Sequence, residues 1–272
     1  MHLGLIGGIG PAATVFYYRH LAHAHAVAQR PMELTLVHAQ VSELLQNMTG
    51  NAPQQQAQTY VQLTRRLQAA GAEVVAITSM AGHFCIREFE PLSPLPVVNA
   101  VPELAAELAR RGLRRVGLIG TRVVMASQVY GALSGLEVVV PTGESFDATH
   151  DAYIAMATAG QVTERQRALF FAVGNELCRK QGAEAVVLAG TDLFLAFEGY
   201  ACGFPVIDSA EIHASAVTRV TRLMLSVSRA SQSSKQPDFL LYHWDIVERE
   251  SRQYQVIILI VEQVTIVVSV RR

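Results

Sequence analysis

The feature that most constrains this chain is an internal repeat. Leu3-Gly4-Leu5-Ile6-Gly7 recurs as Val116-Gly117-Leu118-Ile119-Gly120, 113 residues later. Gly71-Ala72-Glu73-Val74-Val75-Ala76-Ile77 recurs as Gly182-Ala183-Glu184-Ala185-Val186-Val187-Leu188, 111 residues later. Pro96-Val97-Val98-Asn99 recurs as Pro205-Val206-Ile207-Asp208, 109 residues later. Three matches in one order at nearly one spacing argue for a duplicated unit. Whatever fold suits one half must then suit the other.

Within each half, short β-branched runs alternate with helical stretches. The first half predicts strands at 2–7, 33–38, 73–78 and 96–98, and helices near 11–29, 54–70 and 101–111. The second predicts strands near 115–119, 136–140, 185–189 and 205–207, and helices near 124–134, 146–158, 163–181 and 209–228. Continuous apolar strands alternating with helices imply parallel sheets covered on both faces. The expected class is α/β: two similar domains, each a parallel sheet with helices on both faces, related by a pseudo-twofold duplication. The expected boundaries are 1–112 and 113–230, with the helix near 209–228 able to pack back on the first half. Residues 231–272 form a linker and a β-rich tail. The linker is Ser-Gln-Ser-Ser-Lys-Gln-Pro at 231–237. Glu262 and Gln263 interrupt the apolar run that ends the chain, which disfavours a membrane span. The tail reads as an added strand pair for a partner or as a functionless, aggregation-prone extension.

Ligands on parallel sheets bind at the carboxyl ends of strands, so a site between the halves is the expectation. Net charge is −1, which gives no electrostatic case for nucleic acid or an anionic membrane as partner. Three cysteines, Cys85, Cys178 and Cys202, fit a reducing compartment better than a disulfide framework. The N-terminus lacks the pattern of a signal peptide, and the expected location is cytoplasmic.

The first strand runs into Gly7-Gly8-Ile9-Gly10-Pro11-Ala12-Ala13-Thr14. Glycines permit a tight turn and close approach to a ligand, Pro11 suits a first helical position, and the free N–H groups there favour a carboxylate or phosphate. Gly8-x-Gly10-x-x-Ala13 also reads as a dinucleotide fingerprint, but the second strand ends Val37-His38-Ala39-Gln40, without the acidic residue that would hold a ribose. The equivalent later strand ends are Thr78-Ser79-Met80-Ala81-Gly82-His83 and Ala189-Gly190-Thr191-Asp192.

Together these segments resemble the aspartate/glutamate racemase superfamily. Its members carry a Gly-Gly-x-Gly-Pro loop, a Cys-Asn-Thr-Ala-His segment in one half and a Gly-Cys-Thr-Glu segment in the other. Further likenesses are Gly120-Thr121-Arg122 with Tyr130, Val139-Val140-Pro141, Phe146-Asp147 with His150, and Pro205-Val206-Ile207-Asp208-Ser209 with Ile212-His213. They span residues 2 to about 226. The resemblance implies a cofactor-independent isomerase that interconverts L and D acidic amino acids at a cleft between the halves. One thiolate removes the α-proton and a thiol delivers one to the other face, with neither pyridoxal nor metal. It also implies a small carboxylate or amino-acid ligand, and a homodimer is common in families of this kind.

The implied catalytic positions are Ser79 and Gly190, where the family has its cysteines, with His83 and Asp192 beside them. The implied substrate-binding positions are Gly8, Gly10, Met80, Ala81, Thr121, Thr191 and Asp208. A serine hydroxyl is a poor base without an activating partner, and glycine has no side chain to offer. His83 reads either as that partner, one helical turn from Ser79, or as a histidine that satisfies the core. Asp208 reads as an ammonium ligand or a helix cap. Cys202, in the loop before Pro205, is the cysteine best placed to substitute. Among His20, His23 and His25, only His20 and His23 share a helical face, and no carboxylate accompanies them to hold a metal. Three functions remain open: a racemase, a superfamily lyase or isomerase using different side chains, and an inert homologue that binds an acidic metabolite or a partner protein.

Overall fold

The computed structural model describes residues 1–232, 254–261 and 264–271. The order is β1 (His2–Gly7), α1 (Pro11–Val27), β2 (Glu33–His38), α2 (Val41–Thr49), α3 (Pro53–Ala69), β3 (Val74–Ile77), α4 (Ile86–Phe89), β4 (Val97–Val98) and α5 (Ala100–Arg110). There follow β5 (Arg115–Ile119), α6 (Arg122–Ala126), β6 (Glu137–Val139), α7 (Glu144–Ala159), α8 (Glu164–Arg179), β7 (Ala185–Leu188), α9 (Phe194–Phe197), β8 (Val206–Asp208) and α10 (Ser209–Gln232). The first four strands form a parallel sheet in the order β2-β1-β3-β4. The next four form a parallel sheet in the equivalent order, β6-β5-β7-β8.

Two glycines show how alike the sheets are. A side chain on Gly4 of β1 would meet Leu67 of α3 at 2.9 Å and Ala72 at 3.2 Å. One on Gly117 of β5 would meet Leu177 of α8 at 3.0 Å and Ala183 at 3.5 Å. In both sheets, then, the central strand omits a Cβ so that a crossover helix can lie close, and the repeat of Gly-Leu-Ile in the sequence has this packing cause. Helix ends are set locally. Pro11 and Pro53 open α1 and α3, Asn99 caps α5 through Val101 N at 2.9 Å, and Thr163 with Gln166 forms a capping box on α8.

Each half is covered partly by the other's last helix. Ala100, Val101, Leu104 and Leu108 of α5 pack in one cluster with Val116, Leu118, Ala185 and Val187 of the second sheet. Ala210, Ala214, Ala216 and Val217 of α10 pack in one cluster with Leu3, Leu5, Val74 and Ala76 of the first. Residues Met1–Ala230 accordingly make one compact unit.

The structure departs from the sequence-based expectation in two elements. The helix expected over 124–134 stops at Ala126, because Gln128, Val129 and Tyr130 all take positive φ, and turns carry the chain to β6. Helix α2 lies where no helix is expected. The second unit, Ser231–Arg272, contains β9 (Tyr254–Val261) and β10 (Val264–Arg271), which pair antiparallel with Val261 opposite Val264. From residue 233 onward the linker lies outside the described residues. Among the described residues, no helix is long and apolar enough to cross a membrane.

A fragment ending at residue 112 is expected to show no cooperative thermal transition by circular dichroism, because it leaves α5 without its sheet and Leu3 and Leu5 without α10. A sharp melt from that fragment would show that the exchanged helices are dispensable.

Candidate active site

The site forms where β1, β3, β5 and β7 end together. Gly8 and Gly10 take φ values of +90° and +102°, and the loop they make is braced by Thr14, whose Oγ1 accepts from Gly8 N at 3.0 Å. Gly10 leaves room for a carboxylate from the other half: a side chain there would come within 2.9 Å of Asp192 Cγ. Asp192, 1% exposed, accepts from Ala13 N at the start of α1 at 3.0 Å and from Tyr153 Oη at 3.3 Å. One N–H at this helix start, that of Ala13, is thus engaged by the protein's own carboxylate. Burial pushes the Asp192 carboxyl up to about 6, against the lowering effect of those two donors.

Gly190 follows β7 as Ser79 follows β3. A Cβ at Gly190 would lie 2.6 Å from Tyr153 Cζ and 2.8 Å from its hydroxyl. The Tyr153 ring of α7 therefore occupies the space of the missing side chain. Burial raises the Tyr153 phenol well above its ordinary value, so it is a neutral donor at physiological pH. Ser79 Oγ accepts from Gly82 N at 3.2 Å. His83 does not reach that hydroxyl. Its Nδ1–H donates to the Ser79 carbonyl at 2.7 Å and its Nε2 accepts from Ala100 N at 3.2 Å. Nearby, His213 donates from Nε2 to Val98 O at 2.8 Å and accepts at Nδ1 from Tyr17 Oη at 2.8 Å. Both tautomers are fixed because each ring has one carbonyl partner, which only accepts. Burial lowers His83 to about 4 and His213 to about 3.

The cleft encloses about 360 Å³ of empty space, part of it open to solvent. Of the residues expected from the sequence, Gly10, Ser79, Ala81, Thr121 and Asp192 line it. Gly190 lies behind Tyr153, and Gly8 shapes the loop. Met80 is fully buried in the core beside α5, and Thr191 donates to Thr78 O at 3.2 Å, joining the two strand ends. Asp208 caps α10, accepting from Ala210 N at 2.7 Å, and burial pushes it up to about 7. None of the three cysteines lines the cleft. Cys85 donates to Gly82 O at 3.7 Å and is pushed by burial to about 12; Cys202 donates to Phe204 O at 3.3 Å. Arg122 pairs with Asp147 at 2.6 Å and lies over the Phe146 ring at 5.4 Å, while its N–H donates to His150 Nδ1 at 3.1 Å. That stretch anchors the start of α6 beside Thr121. Among the described residues no group of His, Cys, Asp and Glu is placed to hold a metal.

A family model described as Asp/Glu/Hydantoin racemase matches residues 6–217. The chain belongs to that family. A candidate Asp/Glu racemase of Yersinia pestis is 27% identical, with a TM-score of 0.70 over 82% of this chain and 100% of its own. An aspartate racemase homologue of Pyrococcus horikoshii is 26% identical, with a TM-score of 0.67 over 81% and 99%. The aspartate racemase of Picrophilus torridus, 20% identical with a TM-score of 0.69 over 82% and 95%, shares the fold. This family member thus has the two-domain α/β racemase fold. In its cleft Ser79 lines one part of the wall, and the Tyr153 ring fills the space beside Gly190.

Sequence reasoning missed Tyr153 and the wall made by α2. Gly190 in place of a larger residue was the one signal that something else fills its space. Two outcomes check the site. Gly190→Cys alone is expected to destabilise the fold by about 1–3 kcal/mol in urea unfolding, as overpacking does, and Tyr153→Ala should relieve that loss in the double variant. Equal stability of Gly190→Cys and the parent would mean the ring does not hold that space. By nitrogen-15 NMR the His83 and His213 rings should stay neutral from pH 7 to pH 5; titration of either near 6.5 would contradict their burial as neutral tautomers.

Proposed function

We propose that this chain is a racemase-like protein that binds a small amino acid or related carboxylic acid between its halves and exchanges the α-proton from one face only. The observation that carries this is the Tyr153 ring seated against Gly190 with its hydroxyl on Asp192. Two-face racemisation needs a base on each side of the α-carbon. Ser79 Oγ accepts from a backbone N–H and meets no basic side chain, so its O–H is left to donate to a ligand and it does not take a proton. On the other side, the α-proton passes to the Tyr153 oxygen as the phenol proton passes to Asp192, and the reverse transfer returns a proton to the same face. Ser79 and Thr121 hydroxyls orient the ligand carboxylate, and no cofactor enters the scheme. The halves' common strand order supports their origin by duplication. The free cysteines support a cytoplasmic location. A small amino acid or carboxylate ligand, not nucleic acid or membrane, is the proposed partner, with a homodimer as the proposed assembly.

The test is incubation with single amino acids in heavy water, followed by NMR of the α-proton and by optical rotation. Exchange with retained configuration is expected, rising as pH rises through about 6 where Asp192 ionises. Tyr153→Phe should lower it by roughly 10²- to 10⁴-fold. Exchange that runs parallel with racemisation would establish a second base and overturn the one-face scheme. Binding without any exchange would favour the inert homologue, a reading that the lack of a base on Ser79 also favours.

A further inference from the structure

The walls of the cleft bear on which molecule it takes. Helix α2 contributes Val41, Leu44, Leu45 and Met48, and α7 contributes Ile154 and Ala157. The polar side chains of the lining are the buried Ser79, Thr121, Tyr153 and Asp192 and, on α7, the exposed Thr158. Among the described residues that line the cleft there is no Lys, Arg or His, and Asp192 is the one charged side chain. Arg122 follows Thr121 in the chain, but its guanidinium is engaged by Asp147 and the Phe146 ring.

We infer that the cleft selects an amino acid with an apolar side chain over aspartate or glutamate; this rests on the proposed function and narrows its substrate class. The ammonium lies toward Asp192, the α-carboxylate toward the Ser79 and Thr121 hydroxyls, and the side chain runs between α2 and α7. An aliphatic side chain there leaves water for an apolar wall, which is favourable. A second carboxylate in the same place loses its hydration with no cation to compensate, and the negative charge of Asp192 opposes it further. Leu45 and Met48, half-buried on α2, are the positions from which a cation could reach that carboxylate.

Isothermal titration of the full chain with leucine, methionine, aspartate and glutamate, each as both enantiomers, tests this. Leucine or methionine should bind at least about tenfold tighter than either acid, a gap of about 1.4 kcal/mol. Leu45→Arg, or Met48→Lys if the first variant folds poorly by circular dichroism, should raise glutamate affinity about tenfold and weaken leucine. Aspartate or glutamate binding as tightly as leucine overturns the inference and leaves the proposed function standing. A panel in which nothing binds overturns both.

Discussion

The arrangement of the site depends on where one buried carboxylate goes. Asp192 leaves the end of the second sheet, yet its first partner is the backbone of α1 in the first half, and its second is the phenol of α7. A carboxylate with so little solvent around it stays only if hydrogen-bond donors surround it. The glycine loop exists in that shape because Gly10 must leave room for those oxygens, and Thr14 fixes the loop from behind. Thr191, the residue before, joins the two strand ends through Thr78 O. Buried charge and the junction of the halves therefore converge on two consecutive residues.

The same site sets a particular group of side chains on the fold of its family. Ser79 brings a small hydroxyl to the cleft, and the space beside Gly190 is filled by a ring that arrives from α7. The polar side chains of the cleft are thus an uneven set of oxygen groups, one of which, Tyr153, is bonded to a carboxylate. Asymmetry of this kind suits reactions that begin and end on one face of a carbon atom.

Much of the fold was legible in the sequence because its signals are local. Each β-branched run became a strand within a residue or two, and the glycine repeat had a packing cause in both sheets. The short α6 was not legible, since Gln128, Val129 and Tyr130 adopt left-handed backbone without the glycines that would announce it. Helix α2 escaped notice for want of length. Of the positions singled out in the sequence, Gly10, Ser79, Thr121 and Asp192 lie along the cleft because each follows the end of a parallel strand, whereas Gly190 does not line it. His83 required the structure, because one turn of spacing does not say whether a ring meets a hydroxyl or the carbonyl of the same residue. Tyr153 required it most, as 37 residues of chain separate it from the glycine whose space it fills.

The exchange of closing helices has a consequence for how the protein is made. As the chain leaves the ribosome, β1 to β4 and α5 emerge first. The sheet they form then waits for α10, which is synthesised after the whole second sheet, while α5 waits for β5 and β7. During that interval Leu3, Leu5 and their neighbours form a sticky apolar face on a nascent half-protein. The order of translation therefore sets a period of vulnerability that ends only when residues near Val217 arrive, and slow elongation through the second half would prolong it.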